Sequence, residues 1–335
     1  TTEQIEPIKF DSVKRKNSDK ATQSEVSQLR SVNGSLGWIA RQCRGDLAYS
    51  TSKSQSAITE AKVEDLKEAN DIVKTAKADS GFKLRFLGGA FDWKDAVMVT
   101  ITDASFAQEN VPGPRGTKGH RSQKARINAL ADPKIMYSDQ AACHCLSYAS
   151  VTDKRVCSST LQAEAHAMIT GTNQGDRLRG IIQDCKEPMD LANWEEESAR
   201  GMRHLWITDC ASLSEHLRNP KDEKLENTRL SIDVQALKQL IWTNLDGEQG
   251  DELPKLEESR NIVKWVDTSA MAADPLTKKM KCEKLKEVFN GKLDLRATPE
   301  SMLTKLRKRK LRRSKSQLSL IHISEPTRPE RISYA

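Results

Sequence analysis

The sequence predicts an α/β protein in which a mixed sheet of five strands is flanked by helices. Strand-like segments first occur as a run of three, near residues 97–102, 124–131 and 141–149, and then alternate with helical segments. This order is typical of a mixed sheet. Upstream, over residues 60–78, apolar residues recur at steps of three and four, which predicts a helix. A small, mainly helical segment therefore precedes the sheet.

The elements ahead of the sheet are mostly helical. Residues 1–29 are polar and without period, which predicts a disordered lead-in, and residues 31–56 predict two short helices. The helix at 60–78 is expected to end before Gly81. Apolar residues then alternate over 82–86, which predicts a strand.

The region of the first three strands contains one long loop and leads into a capped helix. Residues 109–123 are rich in Gly, Pro and basic residues, which predicts a hairpin loop. Their glycines do not follow a strand-to-helix turn, so a phosphate-binding loop is not indicated. Ser159 to Gln162 match a capping box that opens a helix to about residue 172.

The rest of the chain alternates between strands, helices and acidic connections. In order, we expect an acidic connection at 186–203, a strand at 204–208, a short helix at 211–218, a helix at 229–243, an acidic loop at 244–260, a strand at 261–266 and helices from 275.

Composition narrows the class of protein. The 335 residues leave room for two modest domains, and 30% of them are charged while only 5% are aromatic. No run approaches the roughly 18 apolar residues of a membrane span, and the N-terminus lacks the apolar region of a signal peptide. A membrane partner is therefore not expected. The chain lacks a starting Met, which predicts a fragment or a processed product.

The cysteines predict a reduced intracellular protein. There are seven, an odd number, and none forms a Cys-x-x-Cys pair, which argues against a zinc site. Cys143 and Cys145 are two residues apart, so on a strand they share a face and predict core packing.

Positive charge is concentrated near the C-terminus. Residues 304–315 hold eight Lys and Arg and no acid, one more positive charge than the net +7 of the whole chain. Such a run is either a solvated arm that contacts phosphates or directs nuclear import, or a basic tail without function. It lies in a predicted basic tail at 291–317.

Four acidic residues in separate contexts are candidate metal ligands: Asp103, Glu164, Asp209 and Asp274. Asp103 and Asp209 continue the apolar rows of their strands, where an ionised carboxylate is costly without a cation. Carboxylates from distant parts of a chain can hold two hard cations about 3.5–4 Å apart, which drive in-line displacement at phosphorus. The set therefore indicates a nuclease.

Each of the four acids also has a plainer interpretation. Asp103 and Asp209 cap turns if their strands end before them. Glu164 lies on the apolar stripe of its helix, and at the edge of that stripe it would reach solvent. Asp274 precedes Pro275, a pairing that is common at helix starts.

Five short segments resemble the C-terminal part of the Pol polyprotein of copia-type LTR retrotransposons. GSLGWIARQCRGDLAYSTS (34–52) resembles the segment that follows the reverse-transcriptase palm. Four further segments resemble the ribonuclease H blocks of the family and occur in the same order: TDASFA (102–107), SSTLQAEAHA (158–167), TDCASL (208–213) and ADPLTK (273–278). The likeness covers roughly residues 30–290.

The resemblance implies a fold and a domain organisation. Residues 88–290 would form a ribonuclease H-like domain, and residues 30–87 would be a thumb and connection remnant of the reverse transcriptase. The chain contains no Asp-Asp pair, so the polymerase active site is absent and the palm would belong to the full polyprotein. Membership of the family would also imply a location, first in cytoplasmic virus-like particles and then in the nucleus.

The resemblance also implies an activity. The catalytic and metal-binding residues would be Asp103, Glu164, Asp209 and Asp274. They would hold two Mg²⁺ ions, with Mn²⁺ as an alternative, because these hard ions suit an all-carboxylate site. The substrate would be the RNA strand of an RNA–DNA hybrid, recognised by groove shape and 2′-hydroxyls. The products would carry 3′-hydroxyl and 5′-phosphate ends.

The chain departs from the family pattern at three points. PGPRGTKGHR follows the first acid, where the family has a Ser-rich stretch. LENTRLSID has no His, where the family has a His-rich patch whose auxiliary His aids product release, and His166 is not an obvious replacement. Asp267 is a candidate fifth acid near the site.

Residues 318–335, LSLIHISEPTRPERISYA, resemble the translation of a sequencing-library adapter, so we exclude them from fold and function. Two further interpretations of the chain stay open. One is an inactive or fragmentary Pol remnant that binds nucleic acid without cleaving it. The other is a scaffold that uses the helix at 60–78 for protein contact, which predicts that the four acids lie far apart.

Overall fold

The computed structural model describes residues 2–11, 14–79, 81–112, 118–221, 225, 227–242 and 259–304. The chain divides into two compact units, Thr1–Arg296 and Ala297–Ala335. In the second unit the described residues are helical from 299 to 304. The basic run after Thr304 and the adapter-like segment lie outside the described residues. The predicted boundary between 30–87 and 88–290 falls inside the first unit and stays a prediction.

The α-helices of the first unit are α1 (Gln23–Gln42), α2 (Ala48–Ala57), α3 (Val63–Ala78), α4 (Thr160–Lys186), α5 (Trp194–Gly201), α6 (Ala211–Arg218), α7 (Thr228–Trp242) and α8 (Glu283–Phe289). None of these helices is both long and apolar enough to cross a membrane. The strands are β1 (Val97–Pro112), β2 (Lys118–Ala131), β3 (Gln140–Thr152), β4 (His204–Thr208), β5 (Asn261–Trp265) and β6 (Lys292–Asp294).

The strands form one mixed sheet in the order β5-β4-β1-β2-β3-β6. The pairs β1–β2, β2–β3 and β3–β6 are antiparallel, while β1–β4 and β4–β5 are parallel. The predicted mixed sheet with flanking helices is confirmed. It has six described strands rather than five because residues 292–294 pair with the start of β3, and three residues are too few to show a period in the sequence.

The two faces of the sheet are covered differently. Val97, Val99 and Ile101 on β1 belong to a core cluster that includes Phe289 of α8. On the opposite face, α4 crosses β1 so closely that a Cβ on Gly171 would lie 2.5 Å from the Thr102 methyl group. The predicted packing of the Cys143 and Cys145 side chains is confirmed, since both belong to the core cluster that includes Phe289.

The described N-terminal residues pack into the fold, whereas the sequence predicted a disordered lead-in. Ile5 and Ile8 are buried in a core cluster with α1 and α3, and Asn70 of α3 exchanges two hydrogen bonds with the Ile8 backbone. Thr22 and Glu25 form a capping box, so α1 begins at Gln23 and continues as one long helix. Two isolated isoleucines in a polar segment carry no period, which is why the sequence did not reveal this packing.

Residues 82–86 do not form the predicted strand. The Arg85 amide donates to the Phe289 carbonyl at 2.8 Å, and the Phe82 and Phe289 rings meet edge to face with centroids 5.4 Å apart. Phe82 therefore packs against α8 without a strand partner, while Phe86 is exposed and its ring faces His144 of β3. A predicted strand requires a neighbouring strand, and the sequence pattern alone does not supply one.

Several predicted bounds also move. β1 continues to Pro112 and β2 begins at Lys118. The expected loop at 109–123 therefore narrows to residues 113–117, which lie outside the described residues. α4 continues to Lys186, and α5 forms inside the expected connection at 186–203. Most of the expected loop at 244–260 is outside the described residues.

Candidate metal centre

Three of the four candidate acids meet at the junction of β1, β4 and the segment after β5. Ile101 of β1 lies opposite Ile207 of the parallel strand β4, so Asp103 and Asp209, each two residues further on, reach the same level of the sheet. Asp274 opens a short 3-10 turn after β5. One carboxylate oxygen from each of Asp103, Asp209 and Asp274 lies within 4.8 Å of the other two. We call these three residues the acid triad.

The structure bears on the turn-capping interpretation of each triad residue. β1 continues past Asp103, which pairs with Ala125 and is buried, so Asp103 does not cap a turn. Asp209 directly follows the last residue of β4 and is half-buried. Asp274 is the first residue of its 3-10 turn, where Ala273 is the N-cap, so its carboxylate does not cap the turn and instead belongs to the triad.

Glu164 lies beside the triad rather than inside it. It sits in the second turn of α4, whose first turn is capped by Ser159, and its side chain is buried instead of reaching solvent. Oε1 accepts a hydrogen bond from the amide of Ala104, the residue after Asp103, at 3.3 Å. Oε2 is buried and has no hydrogen-bond partner among the described residues. A buried carboxylate oxygen without a partner is costly unless a cation approaches it.

Burial, together with neighbouring carboxylates, raises the pKa of all four carboxyl groups. Burial and then the charge of Asp274 raise the pKa of Asp103 to about 6. Burial and the charges of Asp103 and Asp209 raise the pKa of Glu164 well above its ordinary value. Burial also raises the pKa of Asp209 and of Asp274. The site therefore concentrates negative charge that the protein compensates only in part.

Thr277 and Lys278, which follow Asp274 in the sequence, partly compensate the negative charge of the site. The Thr277 hydroxyl donates a hydrogen bond to Asp103 Oδ2, and Lys278 Nζ lies 2.8 Å from Asp274 Oδ1. Burial is the largest single effect and lowers the pKa of Lys278, but the hydrogen bond to Asp274 and the charges of the three triad residues together outweigh it and raise that pKa. The sequence analysis assigned no role to either residue. The available signal was the four-residue spacing of Asp274 and Lys278.

The donor set fits a hard divalent cation. The triad and Glu164 present only carboxylate oxygens, which Mg²⁺ prefers, and the unpartnered Glu164 Oε2 is an acceptor that an ion would satisfy. One lysine cannot balance four carboxylates. These residues can hold a divalent metal, and their assignment as catalytic ligands stays a prediction.

Two other residues considered in the sequence are engaged elsewhere. His166 Nδ1 lies 3.0 Å from Asp153 Oδ2, and its Nε2 lies 3.0 Å from Asp233 Oδ2. Asp267 Oδ1 accepts hydrogen bonds from the amide and the hydroxyl of Ser269, so this carboxylate caps a turn. The convergence of the triad also argues against the scaffold interpretation, which requires the acids to lie apart.

The fold class is ribonuclease H-like: three antiparallel strands, β1 to β3, continue through β1 into the parallel strands β4 and β5, with acids on β1 and directly after β4. No protein-family model matches the chain, and no curated protein matches it in sequence.

Two solved structures show a low level of similarity. One is the N-terminal ribonuclease H domain of a Mycobacterium tuberculosis protein, solved as a fusion with maltose-binding protein, with 16% identity and a TM-score of 0.31. The other is a ribonuclease H1 isolated from compost, with 13% identity and a TM-score of 0.30. In both cases the match covers 54% of this chain and 91% of the other. Likeness at this level carries no argument about function, and the fold class rests on the strand order itself.

Proposed function

We propose that this chain is the ribonuclease H domain and adjoining reverse-transcriptase remnant of a copia-type retrotransposon Pol polyprotein, and that it hydrolyses the RNA strand of an RNA–DNA hybrid. The observation that carries the proposal is the acid triad with Glu164 beside it, on a sheet of ribonuclease H-like strand order. The five sequence segments that resemble the Pol polyprotein support the copia assignment.

The residues have distinct parts in this proposal. Asp103 lies on β1 and Asp209 directly follows β4, and the parallel pairing of these adjacent strands brings both residues to the same level of the sheet. Asp274 and Glu164 complete the set, and the four would hold Mg²⁺, with Mn²⁺ as an alternative. Divalent ions bound there supply Lewis acidity and lower the pKa of an attacking water.

The neighbouring groups keep the ligands in position. The Thr277 hydroxyl fixes one oxygen of Asp103, and the Ala104 amide fixes Oε1 of Glu164 and leaves Oε2 for the site. Lys278 neutralises part of the charge at Asp274. A preformed ligand set of this kind avoids reorganisation when the substrate arrives.

The substrate and the setting are also part of the proposal. An A-form-like hybrid is recognised by the shape of its minor groove and by 2′-hydroxyls, so cleavage would depend little on base sequence. The missing palm would act in the same polyprotein, in cytoplasmic particles and then in the nucleus.

The test is cleavage of an end-labelled RNA–DNA hybrid by the full chain with Mg²⁺. We expect the RNA strand to be cut, leaving 3′-hydroxyl ends, and we expect Asp103→Asn to abolish cutting. Glu195→Gln, which removes an exposed charge on α5, is the matched control and should cut normally. If the wild-type chain binds the hybrid but does not cut it, the nuclease proposal is wrong and the chain is an inactive Pol remnant that binds nucleic acid.

A further inference from the structure

A second cluster of metal-binding side chains lies where β3 leads into α4. Asp153 directly follows β3, Cys157 lies in the connection, and His166 is on α4. One ligand atom from each of these residues lies within 4.8 Å of the other two. The Asp153 and His166 side chains are buried, and Cys157 is half-buried, so the cluster has an approach from solvent.

The spacing of the three ligand atoms matches a tetrahedral ion. Zinc bonds of about 2.0–2.3 Å to nitrogen, oxygen and sulfur place neighbouring ligand atoms about 3.3–3.6 Å apart. In the structure, His166 Nδ1 is 3.0 Å from Asp153 Oδ2 and 3.5 Å from Cys157 Sγ. Cys157 Sγ is 3.8 Å from Asp153 Oδ2. Shifts of a few tenths of an ångström would admit an ion among them.

The surrounding groups orient these atoms toward one point. His166 Nε2 lies 3.0 Å from Asp233 Oδ2, the carboxylate partner that fixes the ring of a metal-binding histidine through its second nitrogen. Asp153 Oδ1 accepts from the Arg155 amide at 3.0 Å and faces Lys124 Nζ at 3.2 Å. The other oxygen, Oδ2, is the one directed at His166 and Cys157.

We propose that Asp153, Cys157 and His166 form a second metal site, separate from the acid triad, that binds Zn²⁺ or a similar transition-metal ion. Thiolate and imidazole ligands select such ions, whereas Mg²⁺ prefers oxygen. Three protein ligands leave a fourth position for water on the solvent side of Cys157. The ion would tie the β3–α4 connection to α4 and, through Asp233, to α7.

Binding of the ion is balanced by release of protons. Burial raises the pKa of the Cys157 thiol, so the ion-free side chain carries its hydrogen. On binding, the thiol hydrogen and the hydrogen in the contact between His166 Nδ1 and Asp153 Oδ2 leave as protons, and the three atoms bond to the ion. No oxidant or reductant is required. The site does not depend on the proposed nuclease activity.

The test uses Co²⁺ as a spectroscopic probe of the full, reduced chain carrying Asp103→Asn and Asp209→Asn, which disable the acid triad. We expect one Co²⁺ per chain, a thiolate-to-metal charge-transfer band, and displacement of Co²⁺ by Zn²⁺. Cys157→Ser should abolish the band and weaken binding at least tenfold, while Cys210→Ser, beside the triad, should leave both unchanged. Asp233→Ala should keep the band and weaken binding about 10- to 100-fold.

A second measurement does not rely on any variant at the cluster. X-ray absorption at the zinc edge of the Zn²⁺-loaded wild-type chain should show one sulfur ligand among nitrogen and oxygen ligands. A Co²⁺ spectrum without a charge-transfer band, a band that survives Cys157→Ser, or a zinc shell without sulfur would each overturn the proposal. The cluster would then be only a hydrogen-bonded link between β3, α4 and α7.

Discussion

The hydroxyl of Thr277 donates a hydrogen bond to Asp103 Oδ2, joining two buried residues that are 174 positions apart in the sequence. This bond lowers the pKa of Asp103, while burial and the charge of Asp274 act in the opposite direction and raise it to about 6 overall. Thr277 therefore helps to keep Asp103 ionised near neutral pH, the state in which a carboxylate can bind a cation.

Removing the Thr277 hydroxyl should shift the acidic side of the pH profile of hybrid cleavage to higher pH. A hydrogen bond to a charged group contributes about 1.5–3 kcal/mol, so Thr277→Val should raise the pKa of Asp103 and shift this side of the profile upward by about one pH unit or more. The measurement is kcat/KM against pH at a fixed, limiting Mg²⁺ concentration. Thr277→Ser keeps the donor and should follow the wild type. An unshifted profile for the valine variant would show that the bond does not control this ionisation.

Asp103→Asn should abolish cleavage yet stabilise the metal-free protein. The pKa of Asp103 in the folded protein, about 6, is above the ordinary value of 3.8 for an aspartate. Between these values the folded state binds more protons than the unfolded state, so the free energy of unfolding falls as pH rises from about 4 to 6. Above pH 6 the whole penalty, about 3 kcal/mol, is present, and asparagine does not carry it.

Urea unfolding in the presence of a chelator measures this penalty. The difference between Asp103→Asn and wild type should be largest at pH 8 and nearly absent at pH 4. Glu195→Gln controls for the loss of one exposed charge and should match the wild type at both values. A less stable asparagine variant at pH 8 would contradict a raised pKa of Asp103 in the folded protein.

Mg²⁺ should reverse the pH dependence that the triad imposes on stability. An ion that binds only the folded state stabilises it by about 2.7 kcal/mol at a concentration 100 times its Kd. Because protons compete for the raised-pKa carboxylates, the increase in Tm with Mg²⁺ should be larger at pH 8 than at pH 5. The Asp103→Asn, Asp209→Asn double variant should show no such increase. Equal increases at both pH values would place the stabilising ion elsewhere.

Long periodic segments made most of the fold predictable from the sequence. The strands around residues 97–102 and 204–208 and the helix α3 each repeat a clear period, and the structure contains them. The pattern failed where packing decides the outcome. Residues 82–86 alternate but form no strand, since Phe82 and the Arg85 amide contact Phe289 of α8 instead, and β6 is a strand only because β3 lies beside it.

The acids of the candidate site were predictable where an ionised carboxylate is energetically unfavourable in its own strand or helix. Asp103 and Glu164 stood out because both occupy apolar rows, and the structure buries both. Thr277 did not, since a threonine near a turn is ordinary until the fold brings it to Asp103. The contacts among Asp153, Cys157 and His166 follow no spacing motif and depend on how the β3–α4 connection folds back.

The close approach of α4 to β1 should make Gly171 intolerant of a single methyl group. A Cβ there would lie 2.5 Å from the Thr102 methyl and 3.0 Å from the Thr100 methyl. Both threonines are buried and β-branched, so neither side chain can rotate away easily. Gly171→Ala should cost about 1–3 kcal/mol from overpacking, although alanine is the better helix former.

Gly34 provides the matched control for that substitution. It lies in the interior of α1 and is exposed, and among the described residues no atom outside the adjacent backbone of α1 lies within 4 Å of the Cβ that alanine would add. Gly34→Ala should therefore stabilise the protein by up to about 1 kcal/mol, the ordinary difference in helix propensity. Chemical unfolding of both variants under the same conditions should give opposite signs. Stabilisation by Gly171→Ala would mean that α4 lies further from β1 than the structure places it.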